Sequence, residues 1–197
     1  MAYAELHCLS NFTFLRGASH PEELVRQADE LGYAGIALTD ECSLAGVVRA
    51  HIAARDLQIR LVVGSEFHCE DGLKVVVLAP SRSAYTALSS LITRSRRQAP
   101  KGQYCTDRQF LSDCLVDSEC LLLWLPGVAA DADSGDWLHA RFAGQMWLGV
   151  EQLVNGSTNE VFHKAAVLAK RFGMPMIASG NVHMHTRRRR MLQDTLS

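Results

Sequence analysis

Several histidines, carboxylates and one amide stand where apolar, strand-like runs of the sequence end. Imidazoles and carboxylates bind divalent metals, a carboxylate can bridge two ions, and a metal-bound water can attack a phosphoester. In α/β folds, ligand sites lie beyond the C-terminal ends of the strands. The pattern therefore predicts a divalent-metal site of the phosphoesterase type. The residues concerned are His7, Asp40, Glu41, Glu66, Asn181 and His183.

Each of these residues also has an ordinary structural interpretation. A single histidine at a strand end is often a hydrogen-bonded structural residue, and an aspartate after a strand commonly caps a helix. At this level both interpretations stay open. Other chemistries have little support, because the sequence has no GxSxG, no GxxxxGK[ST] and no GxGxxG motif.

The composition is that of an ordinary folded domain. The chain has 197 residues, 48% of them hydrophobic, and a formal net charge of −1. Any affinity for nucleic acid must then come from a local patch. The six cysteines form no CxxC pair, and we find no signal peptide and no apolar run near membrane-spanning length. We expect a reduced, cytoplasmic protein with no membrane partner.

Hydrophobic periodicity predicts alternating strands and helices, which favours a parallel, barrel-like or doubly wound α/β domain. Ser19 with Glu22, and Ser157 with Glu160, predict capping boxes, and Gly173 predicts a helix end. No element is predicted over 126–145. Predicted strands cover 3–8, 34–40, 60–67, 73–79, 120–125, 146–153 and 174–180; predicted helices cover 19–33, 43–57, 81–94, 106–113, 157–173 and 186–197.

Four consecutive arginines follow the last histidines. Each could neutralise a phosphate, so this run is a candidate for contact with DNA or with another domain. Four consecutive helical residues point in all directions, however, and some could instead pair with Asp194. The arginines are Arg187, Arg188, Arg189 and Arg190.

Three strings together carry a family resemblance: "LHCLSNFTFLRGASHPEELVRQADELGYAGIALTDECSLAGVVRAH", "VVGSEF" and "GNVHMHTRRRRMLQDTL". They resemble the PHP domain (polymerase and histidinol phosphatase) of C-family bacterial DNA polymerases, in particular the error-prone, DnaE-like branch. The resemblance implies a distorted seven-stranded (β/α) barrel of the PHP type. It also implies that residues 1–197 are the N-terminal PHP domain of a longer polymerase, whose palm, fingers and thumb are absent here.

Metal-competent PHP domains hold a trinuclear metal site, and the resemblance carries its ligands over only in part. His7, Glu66 and His183 match family ligands, and Glu41 replaces an imidazole in "TDE". We expect these four to form a vestigial or weak metal site. The remaining ligand positions are substituted: Leu9 and Val128 are apolar, Arg16 and Lys74 are cationic, and Asn181 replaces an aspartate.

A cation among would-be ligands repels a metal ion and can itself pair with Glu66 or Glu41. We therefore expect a catalytically inactive scaffold, with no cofactor or one weakly bound zinc or manganese ion. The resemblance implies a magnesium-dependent, DNA-directed DNA polymerase as the parent, acting in damage tolerance (translesion synthesis). The implied partners are the rest of that chain, DNA through the parent enzyme, and other damage-tolerance proteins.

Two other functions stay open from the sequence. The first alternative is an active metal-dependent phosphoesterase or 3′–5′ exonuclease that proofreads. The second is a binding module for a damage-tolerance protein.

Overall fold

The computed structural model describes residues 3–126, 132–151 and 158–196. Within these ranges the chain has seven strands and seven α-helices, and it divides into two compact units, residues 1–66 with 180–197 and residues 67–179. The strands are β1 (Ala4–Cys8), β2 (Gly35–Leu38), β3 (Arg60–His68), β4 (Lys74–Ala79), β5 (Leu121–Trp124), β6 (Met146–Glu151) and β7 (Met176–Ser179). The helices are α1 (Pro21–Glu30), α2 (Val47–Arg55), α3 (Arg82–Arg97), α4 (Arg108–Leu115), α5 (Ala132–Phe142), α6 (Thr158–Phe172) and α7 (Arg190–Leu196), with a 3₁₀ turn at Arg187–Arg189.

The first unit is built on parallel strands covered by α1 and α2. β1 pairs with β2, and β2 pairs with β3, both in parallel. All four residues of β2 are buried, as expected for a strand covered on both faces. Leu24 and Val25 of α1 pack with Ile36 and Leu38 of β2 in one apolar cluster. This core fixes the strand ends that carry the candidate site.

The second unit contains one reversal of strand direction that the alternating pattern did not predict. β4 and β5 are antiparallel, whereas β5 with β6 and β6 with β7 are parallel. Two helices, α3 and α4, lie between β4 and β5 in the chain. A single helix between two strands carries the chain back to the same end of the sheet, which makes the two strands parallel. A second helix carries the chain to the other end, so β5 runs antiparallel to β4.

The helix starts show two differences from the sequence prediction. The predicted Ser19–Glu22 capping box is wrong by one residue, because α1 starts at Pro21 and the His20 backbone N–H donates to Glu23 at 2.9 Å. Proline at the first helical position explains this start, since it fits there without a hydrogen bond. The second difference is α5, which lies in the stretch where no element was predicted.

Gly173 ends α6 with φ +62°, as predicted. The predicted cap at Ser157 lies outside the described residues, as do Gln152 and Leu153 of the predicted sixth strand. In the part of the chain that the structure describes, no helix is long and apolar enough to cross a membrane.

Candidate metal-like centre

The candidate site is organised around the guanidinium of Arg16. Its Nη1 atom lies 2.5 Å from Glu41 Oε2 and 2.5 Å from Glu66 Oε1. Glu66 is fully buried on β3, Glu41 follows β2, and the two form an isolated parallel bridge. One nitrogen with two hydrogens can donate to both carboxylates, so Arg16 joins the ends of two neighbouring strands.

His7 contacts the same cluster from β1. Its Nε2 atom lies 2.5 Å from Glu66 Oε2, and both side chains are completely buried. The two carboxylate oxygens of Glu66 therefore face different partners, His7 on one side and Arg16 on the other. The structure thus brings together His7, Glu41 and Glu66 of the predicted ligand set, with Arg16 among them.

Burial and charge act in opposite directions on Arg16. Burial favours the neutral form, but hydrogen bonds and the charges of Glu66 and Glu41 outweigh it, so the pKa of Arg16 is raised above its ordinary value. The guanidinium therefore keeps its positive charge beside two carboxylates. The cluster therefore contains a cation beside its carboxylates.

The loop from Ser10 to Gly17 holds Arg16 in place, and Asp40 holds the loop. Asp40 accepts hydrogen bonds from the Ser10 backbone N–H at 2.8 Å, the Ser10 hydroxyl at 2.7 Å and the Thr13 hydroxyl at 2.7 Å. The Glu41 N–H donates to Thr13 Oγ1 at 3.0 Å. Asp40, a candidate ligand by sequence, thus organises the loop.

Gly17 closes this loop against its own beginning. A Cβ atom at Gly17 would lie 1.9 Å from the carbonyl oxygen of Ser10, which no side chain allows. Because Gly17 has no side chain, the end of the loop can pass close to Ser10, and this passage helps to position Arg16, the residue before it.

The closing motif forms a local pair. His183 Nε2 lies 2.9 Å from Asn181 Oδ1, and Asn181 has φ +47°, a left-handed conformation that asparagine tolerates well. The backbone of this segment lies along β1, since Leu9 N–H donates to Val182 O at 2.8 Å and Val182 N–H donates to His7 O at 2.9 Å.

Two of the other substituted positions differ in burial. Leu9 is completely buried, and Lys74 is the first residue of β4, where it is half-buried. Val128 lies outside the described residues. The role of Lys74 as a replacement for a metal stays a prediction.

The arginine run begins in the 3₁₀ turn and enters α7. Arg189 pairs with Glu23 at 2.7 Å, and Arg190 lies 3.5 Å from Asp194, one helical turn away. Arg187 and Arg188 are exposed. His185 lies two residues beyond His183 and outside the closing motif. It contacts Ser19, with its Nδ1 atom 2.7 Å from the Ser19 hydroxyl.

The family comparison agrees with this geometry. Residues 5–167 match the model of the PHP domain. The chain belongs to the PHP domain family. It is 50% identical over 195 residues to an error-prone DNA polymerase of Methylococcus capsulatus, covering 99% of this chain and 18% of the relative. An error-prone DNA polymerase of Pseudomonas aeruginosa is 48% identical over 196 residues, covering 100% of this chain and 19% of the relative.

This PHP domain thus spans about a fifth of the curated relatives it matches, and it corresponds to their N-terminal region. The resemblance to polymerase PHP domains is therefore confirmed.

Solved structures confirm the predicted fold class, the seven-stranded (β/α) barrel of the PHP type. A putative metal-dependent phosphoesterase from Bifidobacterium adolescentis matches with a TM-score of 0.64 and 18% identity, over 92% of this chain and 88% of the other. An amidohydrolase from Chromobacterium violaceum matches with a TM-score of 0.67 and 17% identity, over 93% and 88%. At such identities the likeness shows the fold alone.

The chain also offers donors for a divalent metal. Carboxylate oxygens of Glu41 and Glu66 lie within 4.8 Å of one another. Such oxygens, with imidazoles, are usual ligands of divalent ions. His68 follows Glu66 by two residues on β3, so strand alternation directs both side chains to the same side. The sequence analysis missed His68, although the i, i+2 spacing within "SEFH" was a visible signal.

Ser10 and Thr13 were also missed. Their importance comes from hydrogen bonds to Asp40, a residue 27 to 30 positions away in the chain. Only the folded loop brings these hydroxyls to that carboxylate.

Proposed function

We propose that this chain is the PHP domain of an error-prone DNA polymerase, working as a scaffold in which an arginine replaces the metal centre. The observation that carries the proposal is the position of Arg16, 2.5 Å from the carboxylates of both Glu41 and Glu66. The name of the relatives, error-prone DNA polymerase, supports the parent enzyme and its place in damage tolerance.

The residues present fit a trinuclear metal site poorly. An ion bound by both carboxylates would have to displace Arg16, whose positive charge repels a divalent cation. The second position of the first motif is Leu9, which is buried and has no donor atom in its side chain. Asn181 offers a neutral oxygen that already contacts His183. Together these features support the loss of a hydrolytic centre.

The cluster can still hold strand ends together as a metal does. Arg16 pairs with two carboxylates and joins the segment after β2 to β3, and His7 connects β1 to the same cluster. A buried carboxylate requires such partners, because an unpaired buried charge is strongly destabilising. The scaffold hypothesis thus gives each of Arg16, Glu41, Glu66 and His7 a structural role.

The parent chain, under this proposal, is a cytoplasmic, magnesium-dependent DNA polymerase that performs translesion synthesis. This PHP domain would contact the rest of that chain and meet DNA only through it. Other damage-tolerance proteins would be further partners. At most one weakly held zinc or manganese ion would bind here.

An exonuclease assay tests the proposal. The purified chain is incubated with 3′-labelled single-stranded DNA and Mn²⁺ or Zn²⁺, beside Glu66→Gln and His183→Ala variants prepared identically. We expect equal background hydrolysis in all three samples. Nucleotide release by the wild type that both variants lose would instead support the alternative, a proofreading phosphoesterase.

A further inference from the structure

The loop that carries Arg16 presents two large apolar side chains to solvent. Phe14 is 84% exposed and Leu15 is 66% exposed. Among the described large hydrophobic residues, Phe14 has the highest exposed fraction. Two adjacent apolar residues at a loop tip are a surface that association with another protein surface would bury.

Contacts on both sides of this tip hold the loop backbone in place. Thr13, on one side, donates to Asp40 at 2.7 Å, and Arg16, on the other, pairs with two glutamates at 2.5 Å. Leu15 itself has φ +65°, a left-handed conformation that is unfavourable for leucine and that the surrounding contacts hold. A loop backbone that is already held in place loses little conformational entropy on binding, so this tip suits an interface anchor.

The segment of chain that lies beside the loop bears on the identity of its partner. The segment after Asn181 runs beside the loop's end, since Ala18 N–H donates to His183 O at 2.8 Å and His185 contacts Ser19. This segment leads to the arginine turn and α7. The chain matches the N-terminal region of the relatives, and about four-fifths of their length lies outside the matched region. In those relatives the polymerase chain therefore continues beyond the segment that lies beside this loop.

We propose that Phe14 and Leu15 form an anchor that inserts into an apolar pocket on the remaining part of the polymerase chain. The identity of this partner rests on the proposed function. The exposure of the two side chains is observed in the domain itself and does not depend on whether the domain hydrolyses DNA. The Arg16 cluster then has a second consequence, because it fixes the loop whose tip makes the contact.

Oxidative footprinting of the full-length polymerase tests the anchor. Hydroxyl radicals label exposed phenylalanines, and Phe162, 55% exposed on α6, is a matched control of the same residue type. We expect Phe14 to be labelled several-fold less than Phe162, although it is the more exposed in the domain. Labelling of Phe14 equal to or above that of Phe162 would overturn the proposal.

Two further measurements separate the other outcomes. Protection of Phe14 that disappears when the polymerase is diluted would mean that a second copy covers the loop, which also overturns the proposal. Phe14→Asp is expected to speed limited proteolysis between this domain and the rest of the polymerase, whereas Phe162→Asp is not. Equal proteolysis of the two variants and the wild type would contradict the anchor, since an aspartate cannot fill an apolar pocket.

Failure of this proposal and failure of the scaffold function are distinguishable. The footprint reads only the burial of Phe14, whereas nucleotide release in the exonuclease assay reads only hydrolysis. An active exonuclease with a protected Phe14 would leave the anchor standing.

Discussion

Replacing Arg16 with methionine removes the positive charge while keeping a long side chain. Glu66 then stays completely buried beside His7 without the Arg16 cation, and Glu41 loses its ion pair with Arg16. Removing one partner of a buried ion pair costs about 3–5 kcal/mol of folding free energy. Arg16 is 27% exposed, so the loss belongs at the low end of that range, and the pair with Glu41, which is 24% exposed, adds little.

We therefore expect Arg16→Met to lower the free energy of unfolding by about 3 kcal/mol. In a chain of this size that corresponds to a fall in melting temperature of roughly 6–12 °C. Urea denaturation followed by circular dichroism gives the free energy, and differential scanning fluorimetry gives the melting temperature. Both are measured on the 197-residue chain at neutral pH.

Arg189→Met is the matched control. Arg189 also pairs with a glutamate, Glu23, at 2.7 Å, but both side chains are partly exposed. Loss of such a pair changes stability by about 0–1 kcal/mol. The double variant Arg16→Met/Glu66→Gln should recover part of the loss, because it no longer buries an unbalanced charge. Equal effects of Arg16→Met and Arg189→Met would refute the reasoning that Arg16 balances a buried carboxylate.

Three further predictions concern the same unit. Arg16→Ala should gain thermal stabilisation from added Mn²⁺ in scanning fluorimetry, since the Arg16 cation no longer repels an ion from Glu41 and Glu66. An equal gain in the wild type would contradict this. Gly17→Ala should lower the free energy of unfolding in urea by about 3 kcal/mol or more, because its Cβ atom clashes with Ser10 O. Gly32→Ala, where φ is +72° and the surrounding space is open, should cost only about 1 kcal/mol. Similar losses in the two variants would argue against the clash. Burial raises the pKa of Asp40, with hydrogen bonds from Ser10 and Thr13 opposing it, so the folded chain binds the proton more tightly than the unfolded one. The contribution of Asp40 to stability is thus full below the ordinary pKa of 3.8 and is lost as pH rises through the pKa of the folded state. Asp40→Asn should therefore flatten this part of a plot of urea-unfolding free energy against pH. An unchanged plot would contradict the prediction.

The sequence predicted the order of the elements well because strands and amphipathic helices leave strong local patterns. α1 and α6 have clear apolar faces and terminal signals, and Gly173 marks its helix end. The start of α1 was misplaced because Ser19 and His20 compete as caps, and only the folded chain shows Ser19 engaged by His185. α5 has a weak pattern, with Ala, Asp, Ser and Gly in its first turn.

The candidate site was predictable in residue type more than in arrangement. The positions of His7, Glu41 and Glu66 followed from strand ends and from the family resemblance. That Arg16 could pair with either carboxylate was expected from charge alone. That one nitrogen contacts both depends on the loop geometry set by Asp40, Thr13 and Gly17, which are long-range contacts that one sequence does not display.

Metal content tests the central claim most directly. The 197-residue chain is purified without chelator, dialysed against buffer with excess Mn²⁺ and Zn²⁺, desalted, and analysed by inductively coupled plasma mass spectrometry beside the Arg16→Ala variant. With Arg16 in the place of a metal, the wild type retains well below one ion per chain, and Arg16→Ala retains more. Two or three ions per wild-type chain, lost in Glu66→Gln, would contradict the claim that arginine has replaced the metal centre.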